Sequence, residues 1–291
     1  MSEPSEKEGR CGRAGVEGVA ATAGGAPRTD GPGTEAPLLR VEHLTKSYPL
    51  AGKGFRRERF RAVDDLSFEI GEGEVYGLVG ESGSGKSTTG RLILGLERPD
   101  SGSVLYRGRD LVGLSERERK PLRREMQLVF QDSSAAFDPR NRAGRILEEP
   151  LVIAGEGDAA ERRERALESL ALVGLQREHY DAFPHELSGG QRQRLNLARA
   201  LITGPRLLIC DEPVSALDVS VQAQVLNLLV GLRRKTGVSM LFITHDMRVV
   251  RHMADRMGVL HHGRLVEEGP ALEVIAHPQD SYTRSLIDAI P

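Results

Sequence analysis

One short stretch near residue 80 combines glycines with a lysine and a serine at fixed spacing: Gly80, Glu81, Ser82, Gly83, Ser84, Gly85, Lys86, Ser87. It fits G-x-x-x-x-G-K-[ST], follows the apolar run EVYGLVG and precedes a segment of helical character, the context that gives this pattern its meaning. Backbone N–H groups at such a turn converge on phosphate, Lys86 offers an ammonium to the β and γ oxygens, and the Ser87 hydroxyl can ligate Mg²⁺. Thr88 supplies a further hydroxyl. A flexible turn with a surface lysine would leave the flanking strand and helix unexplained, so we predict a nucleotide site.

Two later apolar runs end in residues suited to phosphate chemistry. RLLICDEP carries Asp211 and Glu212 to a strand end, and MLFITHD does the same for His245. Asp211 can hold Mg²⁺, and Glu212 can orient a water and accept its proton during attack on the γ-phosphorus. His245 can hydrogen-bond the γ-phosphate or that water. Taken singly, these residues fit a turn cap, a solvated carboxylate and a structural histidine, but their shared position at strand ends favours a catalytic interpretation.

A second glycine-containing segment, LSGGQRQRLNLARAL, opens a helix at Ser188. Ser188 and Gln191 have capping-box spacing, which alone would explain a well-capped helix with a basic outer face. Gly189 and Gly190 each weaken a helix by roughly 1 kcal/mol, so they suggest a close backbone approach to another group. The helix start suits phosphate but lacks a lysine or metal ligand of its own. We therefore expect it to complete the nucleotide site of another subunit in a two-fold dimer.

The elements that must position these residues alternate between strands and helices. We predict strands at LLRVEHLTKSY and DLSFEI joined by a basic loop, and hairpins turning at Arg107-Gly108 and His262-Gly263. Further strands are expected at EVYGLVG, MQLVFQ, RLLICDEP and VSMLFITHD, with an apolar helical stripe between the last two and a short helix at PALEVIA. Strands joined by helices pair in parallel, which indicates an α/β sheet.

Composition divides the chain and limits its partners. Residues 1–36 are rich in Gly, Ala, Pro and charge, so we expect a disordered leader, and residues 133–202 are mostly helical and charged, as in an inserted subdomain. The two cysteines, Cys11 and Cys210, make neither a disulfide framework nor a metal-ligand spacing, which favours the cytosol. The 40 Lys+Arg balance 42 Asp+Glu, so bulk charge indicates no nucleic-acid partner. No apolar run reaches the length of a membrane span.

Six motifs in one order, GESGSGKST, VFQD, LSGGQRQR, LLICDEP, SALD and THD, resemble the ATP-binding subunit of ABC transporters. The resemblance implies that Tyr48 stacks on adenine, although an aromatic on a strand edge would alone suggest packing. It implies that Gln131 touches Mg²⁺, takes part in catalysis and couples to the membrane subunit. Ser188 and Gly190 would contact the γ-phosphate held by the opposite subunit, and Asp218 would link the two sites.

The same resemblance implies an architecture, cofactors and partners. The expected fold is an α/β P-loop NTPase core sheet with an antiparallel β subdomain, over residues 37–132 and 203–291, and an inserted α-helical subdomain, over residues 133–202. ATP and Mg²⁺ are the implied cofactors. The implied partners are a second ABC ATPase subunit, identical or paralogous, two transmembrane permease subunits and, indirectly, an extracytoplasmic substrate-binding protein. The implied location is peripheral, at the cytoplasmic face of the cell membrane.

Two stretches, VFQDSSAAFDPRNRAGRILEEPL and HPQDSYTRSLIDAIP, resemble the ATPases of dipeptide, oligopeptide and nickel importers. Relatives commonly have Pro where Ser133 stands, and some carry a cysteine-rich tail that this sequence lacks, so we expect no iron–sulfur centre. Alternatives are an importer for another cargo, such as nickel, and a non-transport ABC ATPase acting on a macromolecular complex. A non-transport ABC ATPase typically shows two ATPase halves in one chain, a long coiled-coil insert or a basic face, and we recognise none of these in the sequence. A P-loop kinase or GTPase would not need the second glycine helix.

Overall fold

The structure is a computed structural model that describes residues 36–50, 59–130 and 137–289. Its strands are β1 (Leu39–Pro49), β2 (Arg59–Ile70), β3 (Val75–Val79), β4 (Ser101–Tyr106), β5 (Arg109–Asp110), β6 (Met126–Val129), β7 (Leu207–Asp211), β8 (Ser239–Thr244), β9 (Arg256–His261) and β10 (Arg264–Pro270). Its α-helices are α1 (Lys86–Ile93), α2 (Glu116–Glu125), α3 (Ala143–Ala154), α4 (Ala159–Leu172), α5 (Gly189–Leu201), α6 (Val219–Thr236), α7 (Met247–Met253), α8 (Ala271–Ala276) and α9 (Ser281–Asp288). Short 3-10 turns lie at Arg177–Asp181 and Pro184–Glu186.

The larger sheet has the strand order β10-β9-β3-β8-β7-β6, in which only the β9–β10 pair is antiparallel. Every residue of β3 and β8 is buried, because helices cover both faces of a parallel sheet and select continuous apolar strands. The carboxyl ends of β3, β7 and β8 therefore meet at one edge, where the phosphate-type loop, the acidic pair and His245 follow. This confirms the predicted α/β arrangement.

The smaller sheet is antiparallel, with the order β2-β1-β4-β5. The β4–β5 turn has positive φ at Arg107 (49°) and Gly108 (76°), as a two-residue hairpin turn requires, so this predicted turn is confirmed. The predicted basic loop between the first two strands is too long, because β2 already begins at Arg59 and pairs Phe60 with Tyr48. Arginine side chains are tolerated there because β2 is an edge strand whose outer side faces solvent. Residues 51–58 lie outside the described part of the chain.

The segment predicted to be helical contains α3, α4, the two 3-10 turns and α5, which pack on one another through a shared apolar cluster. Helix α2 lies before this segment and was missing from the sequence prediction. It has no fully buried residue and contains Pro121, so it lacks the apolar periodicity that indicates a helix. Its start is set by a capping box between Ser115 and Glu118. Except for Ala36, the expected leader at residues 1–36 lies outside the described residues.

The β9–β10 hairpin joins the two sheets at the phosphate-type loop. Its turn has positive φ at His262 (48°) and Gly263 (83°), which confirms the predicted position. Gly263 donates its N–H to the Ser84 carbonyl (2.9 Å) and accepts a hydrogen bond from the Asp64 N–H (2.9 Å). Arg264 in turn forms an ion pair with Asp64, with Nε–Oδ2 at 2.7 Å. One turn thus contacts the loop of the large sheet and strand β2 of the small one.

Across residues 36–50, 59–130 and 137–289, none of the helices combines the length and the apolar character that crossing a bilayer requires.

Candidate functional site

The glycine-rich loop connects β3 to α1 with a backbone that only glycine accepts at its last turn. Gly85 has φ of 110°, and a Cβ atom there would lie 2.0 Å from the Ala62 carbonyl oxygen. The helix begins at the next residue, so its free N–H groups open towards the loop. The Ser84 hydroxyl is buried and has no hydrogen-bond partner in the described region. A loop with free backbone donors and a spare hydroxyl fits a phosphate chain.

The side chain of Lys86 is buried, with 4% of the residue exposed, and its ammonium group is hydrogen-bonded within the loop. Nζ donates to the carbonyl oxygens of Gly80 and Glu81, both at 2.7 Å. Burial lowers the pKa of Lys86, and the negative charges of Glu212, Asp211 and Glu81 oppose that shift. The lysine is therefore a buried cation surrounded by acceptors, placed in the loop where it can transfer its hydrogen bonds to phosphate oxygens.

Ser87 and Asp211 lie together, as the metal assignment requires. The Ser87 hydroxyl donates to Asp211 Oδ1 at 2.8 Å. Burial raises the pKa of Asp211, the Ser87 hydrogen bond opposes the shift and the Glu212 charge adds to it. A cation beside this partly desolvated carboxylate would relieve that cost, and a hydroxyl with a carboxylate is the hard oxygen set that Mg²⁺ takes alongside phosphates and water. Gln131, the third expected ligand and an expected catalytic residue, lies outside the described residues.

Glu212 follows β7 in an unusual backbone conformation. Its φ is 45°, in the left-handed region that residues other than glycine seldom adopt, and its N–H donates to the Ile243 carbonyl of β8 at 2.9 Å. Glu212 Oε1 lies 3.3 Å from His245 Nδ1, with the glutamate side chain 15% exposed and the histidine 57% exposed. The two strand ends thus bring a shielded carboxylate and an accessible imidazole into contact.

Lys86, Ser87, Glu212 and His245 line one cavity of about 840 Å³, a size suited to a small-molecule ligand, whereas Ser84 and Asp211 lie behind its wall as the structure describes it. Its walls come from both sheets: Tyr48, Phe60 and Ala62 from the small one, and the loop, Glu212 and His245 from the large one. The remaining expected loop residues that line it are Gly80, Glu81, Ser82, Gly83, Gly85, Lys86, Ser87 and Thr88. The cavity therefore brings the expected base-stacking residue and the expected phosphate ligands to one place.

Tyr48 is held by a hydrogen-bond network that the sequence did not indicate. Its hydroxyl donates to Glu97, which forms an ion pair with Arg91 of α1 (Nε–Oε1, 2.9 Å). Burial raises the pKa of Tyr48, and the Glu97 hydrogen bond and charge add to the shift. Glu97 is 49 residues away in sequence, and no local pattern connects it to Tyr48. The contact anchors the expected base-stacking ring to the loop helix.

The second glycine segment lies apart from the cavity of its own chain. Ser188 caps α5 as predicted, with Ser188 Oγ accepting from Gln191 N–H (3.3 Å) and Gln191 Oε1 accepting from Ser188 N–H (2.8 Å). Among the residues that the structure describes, the cavity wall includes neither these two nor Gly189 and Gly190. Asp218 is also absent from that wall and precedes α6, where its carbonyl accepts from the first turn of the helix.

Gly190 has a packing reason that sequence analysis missed. A Cβ atom at this position would lie 2.5 Å from Cγ1 of Val221 on α6, so the absence of a side chain lets the two helices approach. At Gly189 the nearest atom, Leu217 Cδ2, would be 3.7 Å away, an ordinary contact. Packing therefore explains Gly190 but leaves Gly189 unexplained.

Comparison with known proteins agrees with the motifs. The ABC transporter family model matches residues 63–215. The chain is 46% identical to the dipeptide transport ATP-binding protein DppF of Escherichia coli, over 88% of this chain and 77% of that protein. It is 47% identical to the glutathione import ATP-binding protein GsiA of Salmonella paratyphi A, over 88% of this chain and 41% of that protein.

Among solved structures, a dimeric ATP-binding cassette in a post-hydrolysis state bound to ADP and Pi aligns with a TM-score of 0.71 and 32% identity. The alignment covers 80% of this chain and 98% of that one. The shared fold, with its antiparallel β subdomain and helical segment, is thus that of an ATP-binding cassette. The chain belongs to the ABC transporter family, as one of its ATP-binding ATPase subunits.

Proposed function

We propose that this chain energises an importer for dipeptides or oligopeptides through ATP-driven closing and opening of an ATPase dimer. The observation that carries the proposal is the separation within one chain of two complementary half-sites. The loop, Glu212 and His245 share a cavity, whereas Ser188 and Gly190 lie outside its wall. Two chains related by a two-fold axis would bring each half to the other.

Within each half-site, the residues have separable roles. Lys86 and the loop N–H groups bind the β and γ phosphates, and Ser87 and Asp211 would hold Mg²⁺, which neutralises phosphate charge when bound. Glu212 would accept a proton from the attacking water, a role supported by its shielded carboxylate at the cavity that the loop also lines. His245, in contact with Glu212 at 3.3 Å, would orient that water or the γ-phosphate.

The opposite subunit would complete the enclosure with the start of α5. Ser188 and Gly190 would contact the γ-phosphate, so that bound ATP is shared by both subunits, and Asp218 would connect the two sites. Cleavage removes the shared group and with it the differential affinity that favours the closed dimer. In support, the relative bound to ADP and Pi is itself dimeric.

A second groove, of about 790 Å³, offers a place for the membrane subunits. It lies between α2 and α3 and exposes the apolar side chains of Leu96 (53%), Phe130 (44%) and Ile153 (64%). An exposed apolar patch of this kind is typical of a protein–protein contact. Phe130 directly precedes Gln131, the residue expected to couple the two functions. One permease subunit bound at this groove of each ATPase subunit would hold the dimer at the cytoplasmic face and convert its closing and opening into alternating access. An extracytoplasmic binding protein would deliver the cargo, and the names of the relatives support a peptide.

Rescue between two inactive variants tests the composite site. Lys86→Ala and Ser188→Arg subunits should each be inactive, but their mixture should regain ATPase activity because one intact half-site of each can form a working pair. Ser115→Arg is the matched control, since it removes a similar capping box on α2, away from the cavity. If mixed dimers of the two variants formed but their ATPase activity was only the sum of the two separate activities, the composite site would be wrong.

The cargo requires a separate experiment with the membrane partners. The ATPase is purified with its permeases and binding protein, and turnover is measured with dipeptides, oligopeptides, glutathione and chelated nickel. We expect peptides to stimulate turnover most. Stimulation by nickel alone would refute peptide import and leave the ATPase assignment intact.

A further inference from the structure

Helix α9 reaches the phosphate loop from the C-terminal end of the chain. The Tyr282 hydroxyl accepts a hydrogen bond from the backbone N–H of Glu81, at 3.1 Å and 201 residues apart in sequence. The Tyr282 ring stacks on His261, with centroids 3.7 Å apart and planes within 9°. Leu286 and Ala289, further along the same segment, line the nucleotide cavity. The helix is thus part of the cavity wall.

The position of Tyr282 is fixed independently of the loop. Asp280 caps α9, with its carboxylate accepting from the N–H groups of Tyr282 (2.8 Å) and Thr283 (3.4 Å). Glu267 of β10 accepts from the N–H groups of Gln279 (2.8 Å) and Asp280 (3.1 Å). Tyr282, Leu286 and Ile287 also pack on the apolar cluster around α7 and α8. The helix therefore offers the loop a hydroxyl whose place is set by the core.

Glu81, which donates its N–H to Tyr282, also accepts a hydrogen bond from Lys86 through its carbonyl. The Glu81 N–H bonds to Tyr282, and the Glu81 carbonyl accepts from Lys86 Nζ at 2.7 Å. At the other side of the loop, Ser84 is held through its carbonyl by Gly263, at 2.9 Å. Tyr282 and Gly263 both follow β9 in the chain, so the C-terminal elements hydrogen-bond to the loop at two separate points.

We infer that Tyr282 is a positioning residue for ATP binding, whose hydroxyl holds the Glu81 peptide and thereby the loop in its phosphate-binding conformation. Without this hydrogen bond the loop would sample other conformations, and binding would have to restore order at the cost of affinity. Tyr282 acts through the Glu81 peptide and has no assigned part in the chemical step, so the effect should fall on nucleotide affinity and KM rather than on kcat. The inference requires only that the loop binds phosphates, and it is independent of cargo.

Tyr282→Phe tests the hydroxyl, because it keeps the ring that stacks on His261. Tyr180→Phe is the matched control, since it removes a tyrosine hydroxyl bonded to Glu148 in the helical segment, away from the cavity. In ligand-free protein, amide hydrogen exchange in peptides spanning the loop should be faster in Tyr282→Phe and parental in the control. Calorimetric titration should show ADP binding weakened about threefold to tenfold, the range expected for one hydrogen bond. KM for ATP should rise by a similar factor at unchanged kcat.

Tyr282→Leu separates the hydroxyl from the ring. If Tyr282→Phe matched the parent in loop exchange and in ADP affinity, the inference would be overturned, even if Tyr282→Leu were impaired, because ring packing would then be the whole effect. A fall in kcat at constant KM would overturn it as well. Exchange in ligand-free protein depends on neither dimer nor cargo, so failure of the proposed transport function would leave this comparison valid.

Discussion

Replacing Gly190 by alanine should destabilise the protein, although alanine is the better helix former. The new methyl carbon would lie 2.5 Å from Val221 Cγ1, whereas apolar carbons pack best at about 3.5–4.0 Å. Val221 is β-branched and lies in α6, where χ1 is nearly fixed, so it cannot rotate aside. Overpacking of this kind costs about 1–3 kcal/mol and the gain in helix propensity is about 1 kcal/mol, so the net loss should be up to about 2 kcal/mol.

Urea denaturation of five proteins measures this effect: the parent, Gly190→Ala, Gly189→Ala, Val221→Ala and the double variant Gly190→Ala/Val221→Ala. Gly189→Ala is the matched control, because its methyl would lie 3.7 Å from Leu217 Cδ2 and only helix propensity should act. Its free energy of unfolding should equal or exceed that of the parent. The alanine at position 190 should cost less in the Val221→Ala background than in the parent, with a coupling of about 1 kcal/mol or more, because truncating Val221 makes room for the methyl.

Equal free energies of unfolding for Gly190→Ala and Gly189→Ala would refute the steric argument. The double variant also separates packing from ligand contact. If it is stable and still dimerises with ATP, Gly190 serves packing alone. If it is stable but no longer dimerises, a close approach to the phosphate of the other subunit is also required.

Four further variants test the cavity. Lys86→Ala should abolish tight ATP binding, measured by fluorescence titration with a labelled nucleotide, and unchanged affinity would contradict the phosphate assignment. Asp211→Asn should raise the free energy of unfolding of ligand-free protein at neutral pH, because burial raises the pKa of Asp211 and its charged form opposes folding. In a urea series against pH this gain should shrink as the pH falls from above the folded-state pKa towards the usual carboxyl value, where the parental group is protonated too. A gain that grew on acidification would be the wrong sign. Glu97→Leu and Tyr48→Phe should each weaken ADP binding, with less than additive loss when combined, since both remove the same hydrogen bond; full additivity would show that Glu97 does not act through Tyr48.

The parts of the site that could be predicted from the sequence are those in which a motif agrees with the strand and helix that flank it. The loop around Lys86 was predictable because the glycines, the lysine and the hydroxyl all fit one backbone path between a buried strand and a helix. Asp211, Glu212 and His245 were predictable as neighbours because parallel strands end at one edge. The turns at Gly108 and Gly263 were predictable because positive φ favours glycine.

The parts that could not be predicted depend on contacts between distant residues or lack periodicity. Helix α2 is polar and contains Pro121, so it gives no apolar stripe. The contacts of Glu97 with Tyr48 and of Tyr282 with Glu81 join residues 49 and 201 positions apart, which no local pattern encodes. Gly190 was attributed to a ligand because its packing partner, Val221, is on another helix. Sequence alone is least informative about a residue, such as Gly190, whose type could be explained either by packing or by contact with a ligand.

The position of Gly263 links the two sheets mechanically. Since its peptide groups bond to the loop on one side and to β2 on the other, the small sheet cannot slide along the large one without dragging Ser84 or breaking a bond. A nucleotide bound between Tyr48 and Lys86 would contact both sheets and would oppose the same sliding motion. Because such coupling is reciprocal, a partner that restrains this sliding by binding to both sheets should also raise the affinity for the nucleotide.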